Sequence, residues 1–158
     1  MTETMTRAPA RGMYFEEFKE GYRAQSPGRT ITEADVATFA GLSGDYNQLH
    51  TDVVFAQGTQ FGARIAHGLL VLSIASGLVS RLGFIEGTAE AFMSLEWKFR
   101  RPVYIGDTIH VTAEVVKTRA MRRAGGGIVD FDVAVINHDG ETVQKGQWRV
   151  LVRGRDGE

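Results

Sequence analysis

The chain has 158 residues, 43% of them hydrophobic, which is enough for one domain with a sizeable core and too short for two comfortable ones. Its 18 Lys and Arg against 19 Asp and Glu leave a net charge of −1, so no overall field draws it to nucleic acid or to an anionic membrane. The absence of cysteine removes disulfides, thiolate metal sites and a cysteine nucleophile together.

Residues 1–11 are polar, carry Arg7 and Arg11, and lack the ~7 to 15 residue apolar stretch of a signal peptide, so they read as a loose tail on a cytoplasmic protein. With a lead-in segment the expected tail covers residues 1–20. A single domain is expected over 21–153 and a short C-terminal tail over 154–158. Thr32-Glu33-Ala34-Asp35 has the form of a helix start, with a hydroxyl to cap free N–H groups and acids favoured by the dipole. Val36, Phe39 and Ala40 continue it at helical spacing to a stop near residues 41–44. A second short helix is expected over 51–56. Residues 66–82 are apolar or small on nearly every side, which predicts a helix with little solvated face. Its apolar run, 68–79, falls well short of the ~20 residues that span a bilayer, so no membrane partner is expected.

Over residues 92–100, Met93, Leu95, Trp97 and Phe99 alternate with Ser94, Glu96, Lys98 and Arg100, the period of a strand with one wet face. Ile109, Val111, Ala113 and Val115 repeat the pattern over 108–117. Val129, Phe131, Val133 and Val135 repeat it over 127–137, and Trp148, Val150 and Val152 over 143–152. Pro102 with Gly106-Asp107, then Gly125-Gly126-Gly127, then Asn137-His138-Asp139-Gly140 supply turn chemistry between them. Four consecutive strands so joined imply an antiparallel sheet. Helices that precede strands then predict an α+β domain with the sheet curled round the buried helix. Curling one sheet round one helix leaves strand edges and a face uncovered, so a symmetric homodimer is expected.

Gly44-Asp45-Tyr46-Asn47-Gln48-Leu49-His50 follows the first helix. Asp45 and His50 sit in a glycine-flanked loop and could hold a water between an acceptor and a group that exchanges protons near neutral pH. From the spacing alone the plainer reading comes first: Asp45 caps the next turn and His50 is a partly exposed loop histidine. His67-Gly68 stands at the start of the apolar helix, where unpaired N–H groups and the dipole suit a developing negative oxygen, and Gly68 has no side chain to block close approach. Tight helix-sheet packing would also account for Gly68. His50, Asp52 and His67 lack a metal-binding spacing such as HExxH, so no metal is expected. Ser73 and Ser76 lack the G-x-S-x-G elbow of a serine hydrolase. No helix start follows Gly125-Gly126-Gly127, which reads as a hairpin and not a phosphate cradle.

The run Phe39-Ala40-Gly41-Leu42-Ser43-Gly44-Asp45-Tyr46-Asn47-Gln48-Leu49-His50, with Phe61-Gly62-Ala63-Arg64-Ile65-Ala66-His67-Gly68 downstream and Arg101-Pro102-Val103-Tyr104-Ile105-Gly106-Asp107 later, resembles the MaoC-like family of (R)-specific enoyl-CoA hydratases. The likeness runs from about residue 28 to 152. It implies the hot-dog fold, an antiparallel sheet wrapped around a long central helix. It also implies hydration of trans-2-enoyl-CoA to (R)-3-hydroxyacyl-CoA, or the reverse dehydration. The substrate would be an acyl-CoA or acyl-carrier thioester, with coenzyme A as part of the substrate and no separate cofactor. The resemblance places the catalytic pair on Asp45 and His50, the oxyanion-binding amide on Gly68, and substrate-binding or supporting roles on Ser76 and Asn47. Gln48 stands where the family usually has proline. Arg119, Arg122 and Arg123 form either a solvated cluster or a contact for coenzyme A phosphates. A hot-dog thioesterase and a non-catalytic acyl-binding subunit are the alternatives. Such thioesterases generally carry their key carboxylate on the central helix, and residues 66–82 contain no Asp or Glu.

Overall fold

The protein is described by a computed structural model over residues 11–156. A 3-10 turn at Phe15–Glu17 leads to short strands β1 (Arg23–Gln25) and β2 (Arg29–Thr30). Helices α1 (Glu33–Ser43), α2 (Gln48–Thr51), α3 (Val53–Gln57) and α4 (Gly68–Arg81) follow. Strands β3 (Ala89–Phe99), β4 (Thr108–Met121), β5 (Gly126–Asn137) and β6 (Thr142–Arg153) complete the chain. All strand pairs are antiparallel, in the order β1-β4-β5-β6-β3, with β2 also on β4.

The sheet wraps α4 because its inward positions are apolar at period two. Ile109, Val111, Ala113 and Val115 of β4, Val129, Phe131, Val133 and Val135 of β5, and Trp148, Val150 and Val152 of β6 are all buried, against Leu70, Val71, Ala75, Leu78 and Val79 of α4. On the outward face Asp130 is nearly covered and is gripped by both the Nε and the terminal nitrogen of Arg149, at 2.8 and 3.0 Å.

Four details differ from the sequence expectation. The connection over residues 100–107 is no hairpin: β3 passes over β4 and β5 to pair with β6, because β4 already has β1 and β2 on its other side. Within β3 a register shift between Phe92 and Ser94 swaps the alternation, so Phe92 pairs opposite Val150 and touches Trp148, the inward role expected of Met93, while Leu95, Trp97 and Phe99 keep theirs. The helix expected over 51–56 is two helices, α2 and α3, broken at Asp52, whose carboxylate caps α3 through the Phe55 N–H at 2.9 Å. α4 keeps a solvated stripe, with Leu69, Ser73, Ser76, Gly77 and Ser80 exposed, because no element among the described residues covers that side.

The tail expected over residues 1–20 lies outside the described residues for 1–10, as do residues 157–158 of the expected C-terminal tail. The lead-in segment packs inward: Met13 and Phe18 are buried, and the Phe18 ring meets Tyr22, Phe84 and Phe131 edge-on. Main-chain bonds from Gly12 and Met13 to Gly83 and Phe84 tie this strap to the far end of α4. Among the described residues no helix is long and apolar enough to cross a membrane.

Candidate active site

The loop that carries Asp45 is built from local caps. At the start of α1 the Thr32 hydroxyl accepts from Asp35 N–H and the Asp35 carboxylate accepts from Thr32 N–H, a reciprocal box. Burial works against the Asp35 charge, but Arg29, bonded to both its oxygens, and Thr32 outweigh that and hold the carboxyl below its usual range. At the other end Gly44 takes φ 77°, the left-handed cap that turns the chain out of the helix. The Ser43 hydroxyl donates back to Phe39 O and accepts from Asp45 N–H.

Asp45 Oδ1 then accepts from Asn47 N–H at 3.1 Å, and Asn47 Oδ1 accepts from Leu49 N–H at 3.0 Å, so the two residues form successive Asx turns that start α2. Asp45 therefore does cap a turn, with one oxygen. Its other oxygen has no partner among the described residues, and the side chain is exposed. Gln48 is the first residue of α2, a position whose N–H has no intrahelical acceptor.

His50, half-buried on α2, donates from Nδ1 to Ile65 O at 2.7 Å. A carbonyl oxygen only accepts, so the hydrogen sits on Nδ1 and Nε2 is the nitrogen available for proton exchange. His67 is buried and donates from Nε2 to the Asp45 carbonyl at 2.9 Å. Its Nδ1 is enclosed and unpaired, its ring stacks on His50 with centroids 3.9 Å apart, and Phe39 packs at 4.9 Å. The segment before it is pinned by Ala66 N–H on Val103 O, by Tyr104 OH on Phe61 O, and by Arg64 on Glu33 at 3.0 Å. That last bond holds the Glu33 carboxyl below its usual range.

Asp45, His50 and His67 thus converge, with one polar atom from each lying within 4.8 Å of the others. Asp52, considered with the two histidines from sequence, is occupied as a cap instead. The three convergent residues could be imagined around a cation. His50 Nδ1 and His67 Nε2, however, are each engaged with a backbone carbonyl, and His67 Nδ1 is enclosed. Polar atoms of Asp45 and His50 within 4.8 Å of one another are close enough for a water to bridge at ~2.8 Å from each.

Gly68 opens α4 directly after His67, which makes no side-chain cap, so the first-turn N–H groups are not consumed by a capping side chain. It lines a 380 Å³ cavity with Phe61, Ala66, Phe99, Arg100 and Val103. A Cβ at Gly68 would lie 2.8 Å from the ring of the exposed Phe99, so a side chain there would have to displace that ring. A larger depression of 560 Å³ sits on the outward sheet face among Arg23, Glu96, Lys98, Glu114, Asp132 and Lys145; charges of both signs line it and no histidine does.

Two candidate groups are not brought to this centre within one chain. Ser76 lies eight residues down α4 from Gly68, about 12 Å of helix axis. Its hydroxyl donates to Ser73 O at 2.7 Å, and it lines a separate 300 Å³ apolar cavity with Phe84, Phe131 and Trp148. Arg119 pairs across to Ile128, seven residues along β5 from the Val135–Gln144 row near Gly68, about 24 Å of strand. Arg100 lies on the cavity wall instead. The clamp role of His67 and the presence of Gln144 near Gly68 carry no local sequence signal, because both depend on which strand lands beside α4.

The profile of a family described as "MaoC like domain" matches residues 15–135. The (R)-specific enoyl-CoA hydratase of Rhodospirillum rubrum is 41% identical over 102 residues, covering 65% of this chain and 69% of that protein. Among solved structures, one described as a monoamine oxidase regulatory protein from Archaeoglobus superposes with a TM-score of 0.85 at 39% identity, covering 94% of this chain and 99% of that one. A Mycobacterium tuberculosis protein with a double hot-dog fold superposes at 0.80 over 93% of this chain and 46% of its own, at 20% identity, a likeness of fold alone. The sheet wrapped around α4 is the hot-dog fold.

Proposed function

The chain belongs to the MaoC-like domain family, and from that premise we propose that it is a hydratase/dehydratase acting on an enoyl or 3-hydroxyacyl thioester, with (R) stereochemistry and coenzyme A or a carrier protein as the thiol portion. The observation that carries the reading is the convergence of Asp45 and His50 directly beside the start of α4. In hydration, a water bridging Asp45 and His50 Nε2 gives its oxygen to the β-carbon and a proton to the pair. The double-bond electrons move onto the thioester oxygen, which lies against the Gly68 N–H. The enolate then collapses and takes a proton from the pair at the α-carbon, so nothing is consumed but water.

One oriented oxyanion donor is typically worth ~2.7 to 4 kcal/mol, and a positioned acid or base ~100- to 10,000-fold in rate. Both are needed for a useful rate, which is why the loop and the helix start must be held together. Arg100 on the cavity wall is the cation we assign to the thiol portion's phosphates. α4 carries no carboxylate, which favours hydration over thioester hydrolysis. The resemblance to the Rhodospirillum rubrum hydratase supports the same choice.

The uncovered face agrees with a second copy as partner. β3 is a long edge strand whose Phe92, Met93, Leu95 and Phe99 are exposed, close to the solvated stripe of α4. The test of the reaction is incubation with short and medium trans-2-enoyl-CoA esters, following both the conjugated double bond and free thiol. Loss of the double bond without thiol release is the expected result. Thiol release would replace the reading with a thioesterase, and no change in either would leave a binding subunit.

A further inference from the structure

We infer that Gln144 is a positioning residue for the Gly68 amide, the end of a polarised relay that runs from the edge strand to the start of the central helix. The inference rests on the proposed hydratase reading, since it assigns Gly68 its oxyanion. Gln144 lies on β6 opposite Phe99 of β3 and is almost wholly buried. Its Oε1 accepts from the Trp97 indole N–H at 2.8 Å, and its Nε2 donates to Gly68 O at 3.1 Å. The amide orientation has one solution: an indole only donates and a carbonyl only accepts, so a flipped amide would face donor with donor and acceptor with acceptor.

Gly68 needs such a hold. It is a glycine at the first position of a helix with no side-chain cap, so no side chain of its own restrains it, beyond the helix bond in which His67 O accepts from Val71 N–H at 3.2 Å. Two contacts from outside do so. The Phe99 ring fills the space where a Cβ would stand, and Gln144 fixes the carbonyl. Both, with Trp97, come from the β3–β6 pair and not from the loop that carries Asp45 and His50. The acid-base half and the oxyanion half of the site are therefore braced by separate parts of the fold. Gly68 O belongs to the peptide that follows, across the Cα from the N–H, so Gln144 orients the donor through the glycine's backbone torsions. A donor acts on the enolate through its direction as much as its presence, so releasing Gly68 O should blunt turnover while leaving substrate binding in place.

The test compares wild type, Gln144→Met, Trp97→Phe and the double variant in the enoyl-CoA assay, with thermal melting in parallel. Methionine keeps the buried volume and loses both hydrogen bonds. The expected result is a kcat lower by about 10- to 100-fold for Gln144→Met, short of the ~100- to 1,000-fold that follows outright loss of an oxyanion donor, with KM within about twofold. Trp97→Phe should lose less, and the double variant no more than Gln144→Met alone, because the two bonds act in series. If Gln144→Met fails to fold, the Trp97→Phe comparison stands by itself, with a drop in kcat at unchanged KM as the expected result. A folded Gln144→Met protein with wild-type kcat, a loss confined to KM, or independent losses at the two positions would overturn the inference while the hydratase reading survived. A wild-type protein that does not hydrate enoyl-CoA would overturn both.

Discussion

The His50 and His67 rings are locked to each other's surroundings. They stack at 3.9 Å, with His50 held by the carbonyl of Ile65, two residues before His67, and His67 held by the carbonyl of Asp45, five residues before His50. Each histidine thus anchors the backbone segment that carries or precedes the other. His50 leaves Nε2 without a partner among the described residues, whereas Nε2 of His67 is spent on the loop and its Nδ1 is enclosed.

That division separates three substitutions. Asp45→Asn and His50→Asn should each lower hydration by about 100- to 10,000-fold with little change in melting temperature, since Asp45 is exposed and asparagine retains a donor at the Nδ1 position for Ile65 O. His67→Ala should cost both activity and about 2 to 4 kcal/mol of stability, because it empties a buried site and frees the Asp45 loop. Steady-state assays and chemical unfolding of the three proteins check this. A His67→Ala protein as stable as wild type would remove the clamp, and an Asp45→Asn protein of normal rate would remove the mechanism.

How much was legible from sequence follows the range of the forces involved. The α1 cap at Thr32, the stop at Gly44 and the inward residues of β4, β5 and β6 are set by local chemistry and period two, and they stand where the sequence puts them. The partner of β3 was not legible, because pairing depends on which edge is free after β1 and β2 have taken β4. The Phe92 bulge hid for a related reason: one inserted residue reverses the inward set, and nothing in Phe92-Met93 marks it. At the site, Asp45, His50 and Gly68 were visible as residue types in context. Gln144 was not, since it reads as one more polar position on a strand until β6 is laid beside α4.

Gln48 stands where the resemblance expects proline, and the local backbone accommodates either residue. Asn47 caps α2 with its own side chain and has ψ 134°, a backbone that also suits a residue preceding proline. Gln48 follows as the first helical residue, where proline is favoured. Gln48→Pro should therefore leave kcat unchanged and raise stability by about 0.4 to 1 kcal/mol by restricting the unfolded chain. Urea unfolding with a parallel activity assay measures both. A loss of activity in a stable protein would mean that the glutamine side chain takes part in the site.

Asp130 ties the outward face of β5 to β6. Its hydrogen bonds from Arg149 outweigh the cost of burial and, with the nearby charges of Arg149, Lys117 and Arg119, hold its carboxyl below the usual range. A depressed folded pKa gives stability that is full above the unfolded carboxyl value of about 3.9 and is lost as pH falls through the folded value. Asp130→Asn should therefore be weaker by about 1 to 2 kcal/mol at pH 7 and lose less than wild type on descent below about pH 4. Unfolding curves at neutral and acid pH decide it; parallel pH profiles in the two proteins would show that the pair contributes nothing.

The second copy is expected on β3. Edge strands left open, long and apolar invite further pairing, and β3 runs 11 residues with Leu95 still 42% exposed on the inward face. A charge there cannot be covered by an apolar partner without a large desolvation cost, yet in an isolated chain it would remain in water. Leu95→Glu should therefore shift the protein from dimer to monomer in sedimentation at micromolar concentration, with the secondary structure intact by circular dichroism. If the isolated chain is complete as an enzyme, the monomer should retain its rate; if the uncovered α4 stripe with Ser76 completes the site across the interface, activity should fall with the dimer and recover as concentration rises. A wild-type protein that sediments as a monomer, or a Leu95→Glu protein that dimerises as tightly, would show that β3 is not the contact.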